Sequence, residues 1–190
     1  HVGQRVVLDV RDDLVLVLMA DSLGRPPLQS PATQALIGHT GFVGGNLLAQ
    51  ERFEATFNSS NIESIRGQRF DRVVCAGVRA EKWWANQNPV EDRARIDKLI
   101  EALSEVRTGL FTLISTIDVY RNAVLANEDS RPEADRLHAY GLNRLALEAF
   151  VTRHFPRCCI VRLPALFGHG LKKNAIYDLI NNNQGEKIKP

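Results

Sequence analysis

The chain sets short apolar runs between longer segments of helical periodicity, and the order of the two predicts its fold. Ala35-Leu36-Ile37 leads into Gly38; Phe53, Ala55 and Phe57 alternate with polar residues; Val73-Val74-Cys75-Ala76 is continuous. Leu110–Ser115 and Cys159-Ile160-Val161-Arg162-Leu163 are two further runs. Continuous apolar runs of this length suit strands covered on both faces. Strand 35–38 is followed by a predicted helix from Phe42 to about Gln50, and a second helix is expected within Pro89–Arg107. Leu142, Leu145, Ala146, Ala149 and Phe150 fall at i, i+3, i+4, i+7 and i+8, the apolar face expected of a third helix. Strands alternating with helices predict an α/β protein with a doubly wound parallel sheet. Between Phe57 and Val73 there is room for little more than a loop or one turn of helix.

The first thirty-three residues stand outside this alternation. Arg5–Val10 and Leu14–Met19 read as two short strands joined by the charged turn Arg11-Asp12-Asp13, a β-hairpin extension. Leu23 to Gln34, with Pro26, Pro27 and Pro31, reads as a linker. The hairpin is either a simple addition to the fold or an oligomerisation arm, which leaves a homodimer open.

Composition removes several classes of function. A net charge of +2, with no basic run, gives no case for nucleic acid or an anionic membrane. The longest uncharged apolar stretch, Leu14 to Ala20, is too short to span a bilayer, and it follows Asp12-Asp13 rather than a basic region. Cys75, Cys158 and Cys159 lie in apolar runs without metal-ligand spacing, so no metal is expected. Buried thiols in a reducing, cytoplasmic setting are the expectation. If extended, Cys158 and Cys159 point to opposite faces.

The turn Gly38-His39-Thr40-Gly41-Phe42-Val43-Gly44 carries the first candidate chemistry. Glycine there allows positive φ and lets the backbone approach a ligand closely. The helix that follows offers free N–H groups where a pyrophosphate can sit. The spacing G-x-x-G-x-x-G is a variant of the dinucleotide fingerprint, and its position between a strand and a helix points to nucleotide binding.

Two later segments add candidate catalysis. Ser115-Thr116-Ile117-Asp118 clusters hydroxyls and a carboxylate at the carboxyl end of a strand, the edge where ligands bind in open α/β sheets. Tyr140 and Arg144 lie one helical turn apart on one face. A phenol has a pKa near 10, so its use as a base near pH 7 requires a shift of roughly three units, or about 4 kcal/mol. A fixed cation and a positively charged cofactor can supply that.

From about Ala35 to Asn174 the chain resembles the extended short-chain dehydrogenases/reductases, the NAD-dependent epimerase/dehydratase family that acts largely on nucleotide sugars. The resemblance rests on the Gly38–Gly44 turn, Val73-Val74-Cys75-Ala76-Gly77, Ser115-Thr116 with Val119-Tyr120, the Tyr140-xxx-Arg144 helix, and Arg162-Leu-Pro-Ala-Leu-Phe-Gly168. It implies a Rossmann-like domain over 34–168, preceded by the extension and linker of 1–33 and followed at 169–190 by the start of a truncated substrate-binding region. It implies NADP or NAD as cofactor, held by Gly38, Thr40, Gly41, Phe42, Val43, Gly44, Asn58, Ser59, Ser60, Ala76, Gly77, Val78 and Pro164. It implies an oxidoreductase, epimerase or dehydratase with Tyr140 as acid/base, Thr116 bonded to the same substrate oxygen, and Ser115 as neighbour. Arg144 stands where the family has lysine, and Ala165 where many relatives have asparagine. Dehydratases carry an acid pair after the threonine; here Ile117 and Asp118 retain half of it. The alternative is a catalytically silent NAD(P)-binding protein acting as a sensor or subunit.

The remaining residues have plainer readings. Asn58-Ser59-Ser60-Asn61, with Arg66 nearby, offers hydroxyls, amides and a cation where NAD-selective sites place a carboxylate, which tips the cofactor toward NADP. Asp118 reads as a loop or capping carboxylate, and His39 as a loop residue beside the phosphates. His138 and His154 read as solvated. Trp83-Trp84 reads as half core and half lid, with a stacking surface as the other possibility. Lys172-Lys173-Asn174 suits either a diphosphate or a solvated turn.

Overall fold

A computed structural model of the chain describes residues 4–6, 33–124, 126–127, 129–166 and 171. Among the described residues, six parallel strands form one sheet: β1 (Gln4–Val6), β2 (Gln34–Ile37), β3 (Ala55–Phe57), β4 (Arg69–Cys75), β5 (Arg107–Thr116) and β6 (Cys158–Leu163). Their order across the sheet is β1-β6-β5-β4-β2-β3. The helices are α1 (Phe42–Gln50), α2 (Lys82–Gln87), α3 (Pro89–Leu103) and α4 (Ala139–His154), with single 3-10 turns at Ile62–Ile65 and Ile117–Val119. The doubly wound α/β expectation holds, and the short span before β4 does hold one helical turn.

The chain runs outward from β2 through α1 to β3, then returns past β2 to place β4 on its other side. The carboxyl ends of β2 and β4 therefore flank the point where strand order reverses, the place where α/β sheets bind ligands. β2 ends one residue sooner than the expected strand 35–38, at the end of its apolar run, because the φ of 87° at Gly38 turns the chain out of the strand. β4 and β5 start before their apolar runs, since polar residues such as Arg69 and Arg107 pair in the ladder.

The N-terminal strand has a partner within the sheet that its sequence does not suggest. Gln4–Val6 pairs in parallel with Cys159–Val161 and so adds a sixth strand at the sheet edge. The proposed hairpin partner Leu14–Met19, the linker up to residue 32, Gly168 and Lys172-Lys173-Asn174 lie outside the described residues.

The sheet separates two apolar clusters. Ala35, Ile37, Val73, Cys75, Phe111, Leu113 and Ile160 face α3 and α4, where Ile96, Leu99, Leu103, Leu147 and Val151 meet them. Leu36, Val74, Val161 and Leu163 face the other way and meet Leu47 of α1. Cys158 packs on the first cluster and Cys159 on the second, the opposite orientation expected of an extended pair. Burial pushes the Cys75 thiol up to about 11, so at neutral pH it is a protonated packing group.

The third helix lies where its periodicity puts it but presents a different face. Tyr140, Gly141, Asn143, Arg144, Leu147, Glu148 and Val151 are buried, whereas Leu142 is 39% exposed and Ala149 is exposed. The expected apolar stripe is thus only partly covered. Charged residues take the inner face because each finds a partner inside: Arg144 pairs with Asp92, and Glu148 with Arg162.

Candidate functional site

The glycine turn is built by close backbone packing. A Cβ on Gly38 would lie 2.5 Å from Ala76 and Gly77 backbone atoms, and one on Gly44 would lie 2.1 Å from the Gly38 carbonyl oxygen. These two positions bind the turn to the end of β4 and the start of α1 to the turn. Gly41 differs, because a Cβ there would meet only the Gly38 carbonyl, at 3.4 Å. Gly41 is the exposed N-cap of α1 and brings no side-chain cap, so the first N–H groups of that helix remain open to an outside acceptor. The turn fits a dinucleotide diphosphate on that ground. Thr40 is exposed, Phe42 and Val43 are half-buried, and Gly77 and Val78 line the adjoining strand end.

The packing makes a paired prediction for α1. Gly44→Ala is expected to destabilise the protein by about 1–3 kcal/mol through overpacking. Gly45→Ala places its Cβ 3.7 Å from the nearest oxygen and is expected to be neutral or stabilising. Denaturant titration of both variants checks this; equal loss in the two would contradict the close approach at Gly44.

Thr116 and Tyr140 meet at the carboxyl end of β5. A Cβ on Gly141 would lie 2.3 Å from the Asp118 carbonyl oxygen, so α4 enters directly against the turn that follows Thr116. The Tyr140 N–H donates to Asn86 Oδ1 at 3.0 Å, a cap for α4 supplied by α2. The nearby Arg144 charge and the Thr116 hydroxyl favour the phenolate. Burial is the larger influence and holds the phenol above its ordinary value, with Asp118 and Asp92 adding to it.

Arg144 is committed to the interior. Its Nη1 donates to Asp92 Oδ2, and its Nη2 donates to Asp92 Oδ1 at 2.9 Å and to the Arg79 carbonyl at 2.6 Å. The Asn143 amide donates to the same carboxylate at 2.8 Å. The guanidinium lies 3.9 Å from the Tyr140 ring centroid, so it faces the ring and fixes its plane. Ser115 is also engaged elsewhere, its hydroxyl donating to Glu148 Oε1 at 2.6 Å. Glu148 in turn accepts from Arg162, which donates to the Tyr120 hydroxyl. Asp92, Glu148 and Asn86 were not singled out by their local sequence, because their roles depend on partners distant in the chain.

At the end of β3, Asn58 Oδ1 accepts from the Ser60 N–H and hydroxyl, and Asn61 Oδ1 accepts from the Asn58 N–H. Ser59 stays exposed. Arg66, counted toward a 2′-phosphate, instead forms ion pairs with Glu63, Glu101 and Glu105. Its charge is spent there, which withdraws one of the grounds for favouring NADP. His39 Nδ1 lies 3.1 Å from the Phe57 carbonyl. Trp84 is half-buried under Arg95 and Trp83 is 61% exposed, the divided arrangement expected of that pair. His138 and His154 are exposed, and His154 stacks on Phe150. Pro164 follows β6 at the same sheet edge and is half-buried. A hollow lined by Val106, Arg107, Thr108, His154, Phe155 and Pro156 opens where β5 begins, at the opposite end of that strand from Thr116.

No protein-family model matches the chain, and no curated protein matches it in sequence. Solved structures do match in fold. One is a dTDP-4-dehydrorhamnose reductase from Bacillus anthracis str. Ames in complex with NADP, at 17% identity and a TM-score of 0.63, covering 80% of this chain and 59% of that one. A dTDP-4-dehydrorhamnose reductase from Clostridium acetobutylicum matches at 19% identity and a TM-score of 0.62, covering 79% and 59%. A UDP-glucuronic acid 4-epimerase from Bacillus cereus in complex with NAD matches at 20% identity and a TM-score of 0.58, covering 80% and 62%. The chain thus spans less than two thirds of the length of these proteins. The shared feature is the Rossmann-like fold. No helix among the described residues is long and apolar enough to cross a membrane.

Proposed function

We propose that this chain is the dinucleotide-binding part of an extended short-chain dehydrogenase/reductase that acts on a nucleotide sugar with NADP or NAD. The observation that carries the reading is the placement of the Gly38–Gly44 turn against Ala76-Gly77 at the reversal of strand order, with Thr116 and Tyr140 on the same sheet edge. The neighbours crystallised with NADP and NAD, and named for work on dTDP- and UDP-sugars, support it.

In this reading the open N–H groups of α1 hold the diphosphate, and Asn58, Ser59 and Ser60 meet the adenosine ribose. Val78 and Pro164 border the nicotinamide side. The bound cofactor supplies the hydride acceptor or donor. Tyr140 moves the proton of the substrate hydroxyl, and Thr116 holds the same oxygen. Arg144 keeps the tyrosine ring in plane and lends its charge from below. Ser115 acts through Glu148 on the seating of α4 against β5.

A second reading is favoured by one observation: Arg144 commits both terminal nitrogens to Asp92 and the Arg79 carbonyl. A chain so arranged binds the dinucleotide as a sensor or subunit without reacting it. The readings separate on incubation of the chain with reduced nicotinamide dinucleotide and 4-keto nucleotide sugars, followed by nicotinamide absorbance. Saturable turnover is the expected result. Binding without turnover on any of the sugars rejects the first reading in favour of the second.

A further inference from the structure

Between Tyr120 and α4 the chain makes a long excursion, residues 121–137, at the carboxyl edge of the sheet. It leaves β5 through the turn Ile117–Val119, just past Thr116, and ends where Tyr140 enters α4. Both its ends therefore lie beside the candidate site. Its course is not relaxed, since Arg136 is held at φ 63°, a left-handed conformation that a side chain disfavours. The Tyr120 hydroxyl ties the middle of this loop to the core, donating to the Ser130 carbonyl at 3.1 Å. The other hydrogen bonds described within the loop, such as those at Asn122 and Asn127, join its own residues to one another.

A buried ion pair dictates the direction of that tie. A guanidinium can only donate, a carboxylate can only accept, and a hydroxyl has one proton to give. Arg162 donates to Glu148 from Nε at 3.0 Å and from Nη2 at 2.6 Å, and its Nη1 donates to the Tyr120 oxygen. The tyrosine oxygen is thus already an acceptor, and its single proton is left for Ser130. Its ring centroid lies 5.0 Å from the guanidinium, and both residues are buried, so water competes little for these bonds. Glu148 accepts in turn from Ser115 at 2.6 Å. Contacts therefore run without a gap from the loop, through Tyr120, Arg162 and Glu148, to the residue beside Thr116.

We propose that Tyr120 is a positioning residue for the substrate: its hydroxyl, oriented by Arg162, latches the 121–137 loop at the sheet edge and so sets substrate affinity rather than the rate of reaction. This rests on the function proposed above, but its first test needs neither substrate nor cofactor. Arg121 and Arg136 are exposed trypsin sites at the two ends of the loop, whereas Arg131 precedes Pro132 and resists cleavage. Nicking of the full chain at these sites is followed by mass spectrometry, in native buffer and in urea too dilute to unfold it. Tyr120→Phe is expected to raise nicking at Arg136 about tenfold, with little dependence on urea, as a local opening requires. The same substitution strands an Arg162 donor, so a second background removes both buried charges with Glu148→Leu/Arg162→Met. There Tyr120→Phe is still expected to speed nicking several-fold, because only the Ser130 bond is left to lose. With a 4-keto nucleotide sugar and reduced dinucleotide, Tyr120→Phe alone is expected to raise KM about tenfold and to leave kcat within about twofold.

Unchanged nicking in either background would overturn the latch. So would nicking that rises with urea as steeply as global unfolding, because the loop then opens only with the whole fold. Faster nicking with an unchanged KM would overturn the role toward substrate. A wild-type chain that turns over none of the sugars removes the proposed function and that role with it, while the nicking decides the latch by itself.

Discussion

Tyr140→Phe is expected to lower turnover by about 10²–10⁴-fold while leaving dinucleotide affinity unchanged, because it deletes the proton carrier and nothing that touches the glycine turn. The substitution is conservative for the fold. Phenylalanine keeps the ring on which the Arg144 guanidinium rests, and the Asn86 contact is to the backbone N–H. Structural damage is thus a poor explanation for any loss. The pH dependence has a definite sign. Alcohol oxidation needs the phenolate, and burial holds the phenol above its ordinary value, so oxidation is expected to rise as pH rises toward the alkaline range. Reduction needs the phenol and is expected to fall over the same range. Steady-state rates of the wild type and of Tyr140→Phe in both directions check this; unchanged turnover in Tyr140→Phe would exclude the tyrosine as acid/base.

Asp92→Ala is expected to cost about 3–5 kcal/mol, since it leaves a buried guanidinium without its counter-charge. Asp92 is 3% exposed and Arg144 is 4% exposed, and the carboxylate also holds the Asn143 amide. Against a typical total stability of about 5–15 kcal/mol, a loss of that size removes much of the fold's margin. The double variant Asp92→Leu/Arg144→Met removes both charges and is expected to recover most of the loss, because an apolar pair escapes the desolvation penalty. Denaturant midpoints at unchanged slope measure both. A loss under about 1 kcal/mol in Asp92→Ala would mean that Arg144 reaches water or another carboxylate. The result also bears on function. Lysine at position 144 could not make the forked contact with Asp92 and Arg79 that arginine makes, so Arg144→Lys is not a simple restoration.

The parts legible in the sequence were those set by neighbouring residues. Gly38 and Gly44 announce a tight turn because only a missing Cβ permits it, and the apolar runs at 35–37, 73–75 and 159–163 announce buried strands. Thr116 and Tyr140 were singled out through family resemblance, and α4 enters against the turn that follows Thr116. Longer-range chemistry was hidden. Arg144 and Asp92 are 52 residues apart, and so are not paired by any local pattern. The same blindness misassigned the face of α4. Apolar periodicity favoured Leu142, Leu145 and Ala149, whereas Arg144 and Glu148 point inward because ion pairs wait for them on α3 and β6. Arg66 misled in the opposite way. Its position suggested a phosphate ligand, but carboxylates on the neighbouring helix and turn claim it. The edge strand Gln4–Val6 was legible as a strand, while its partner, set by the end of the chain's other half, was not.

The account depends most on where a dinucleotide binds. Titrating the full chain with NADP and with NAD while following backbone amide resonances tests this directly. Saturable binding is predicted, with the largest shifts at the amides of Gly41, Phe42, Val43 and Gly44 and at Ala76 and Gly77. Absence of saturable binding to the folded chain, or shifts centred on the hollow between Val106 and Pro156, would contradict it.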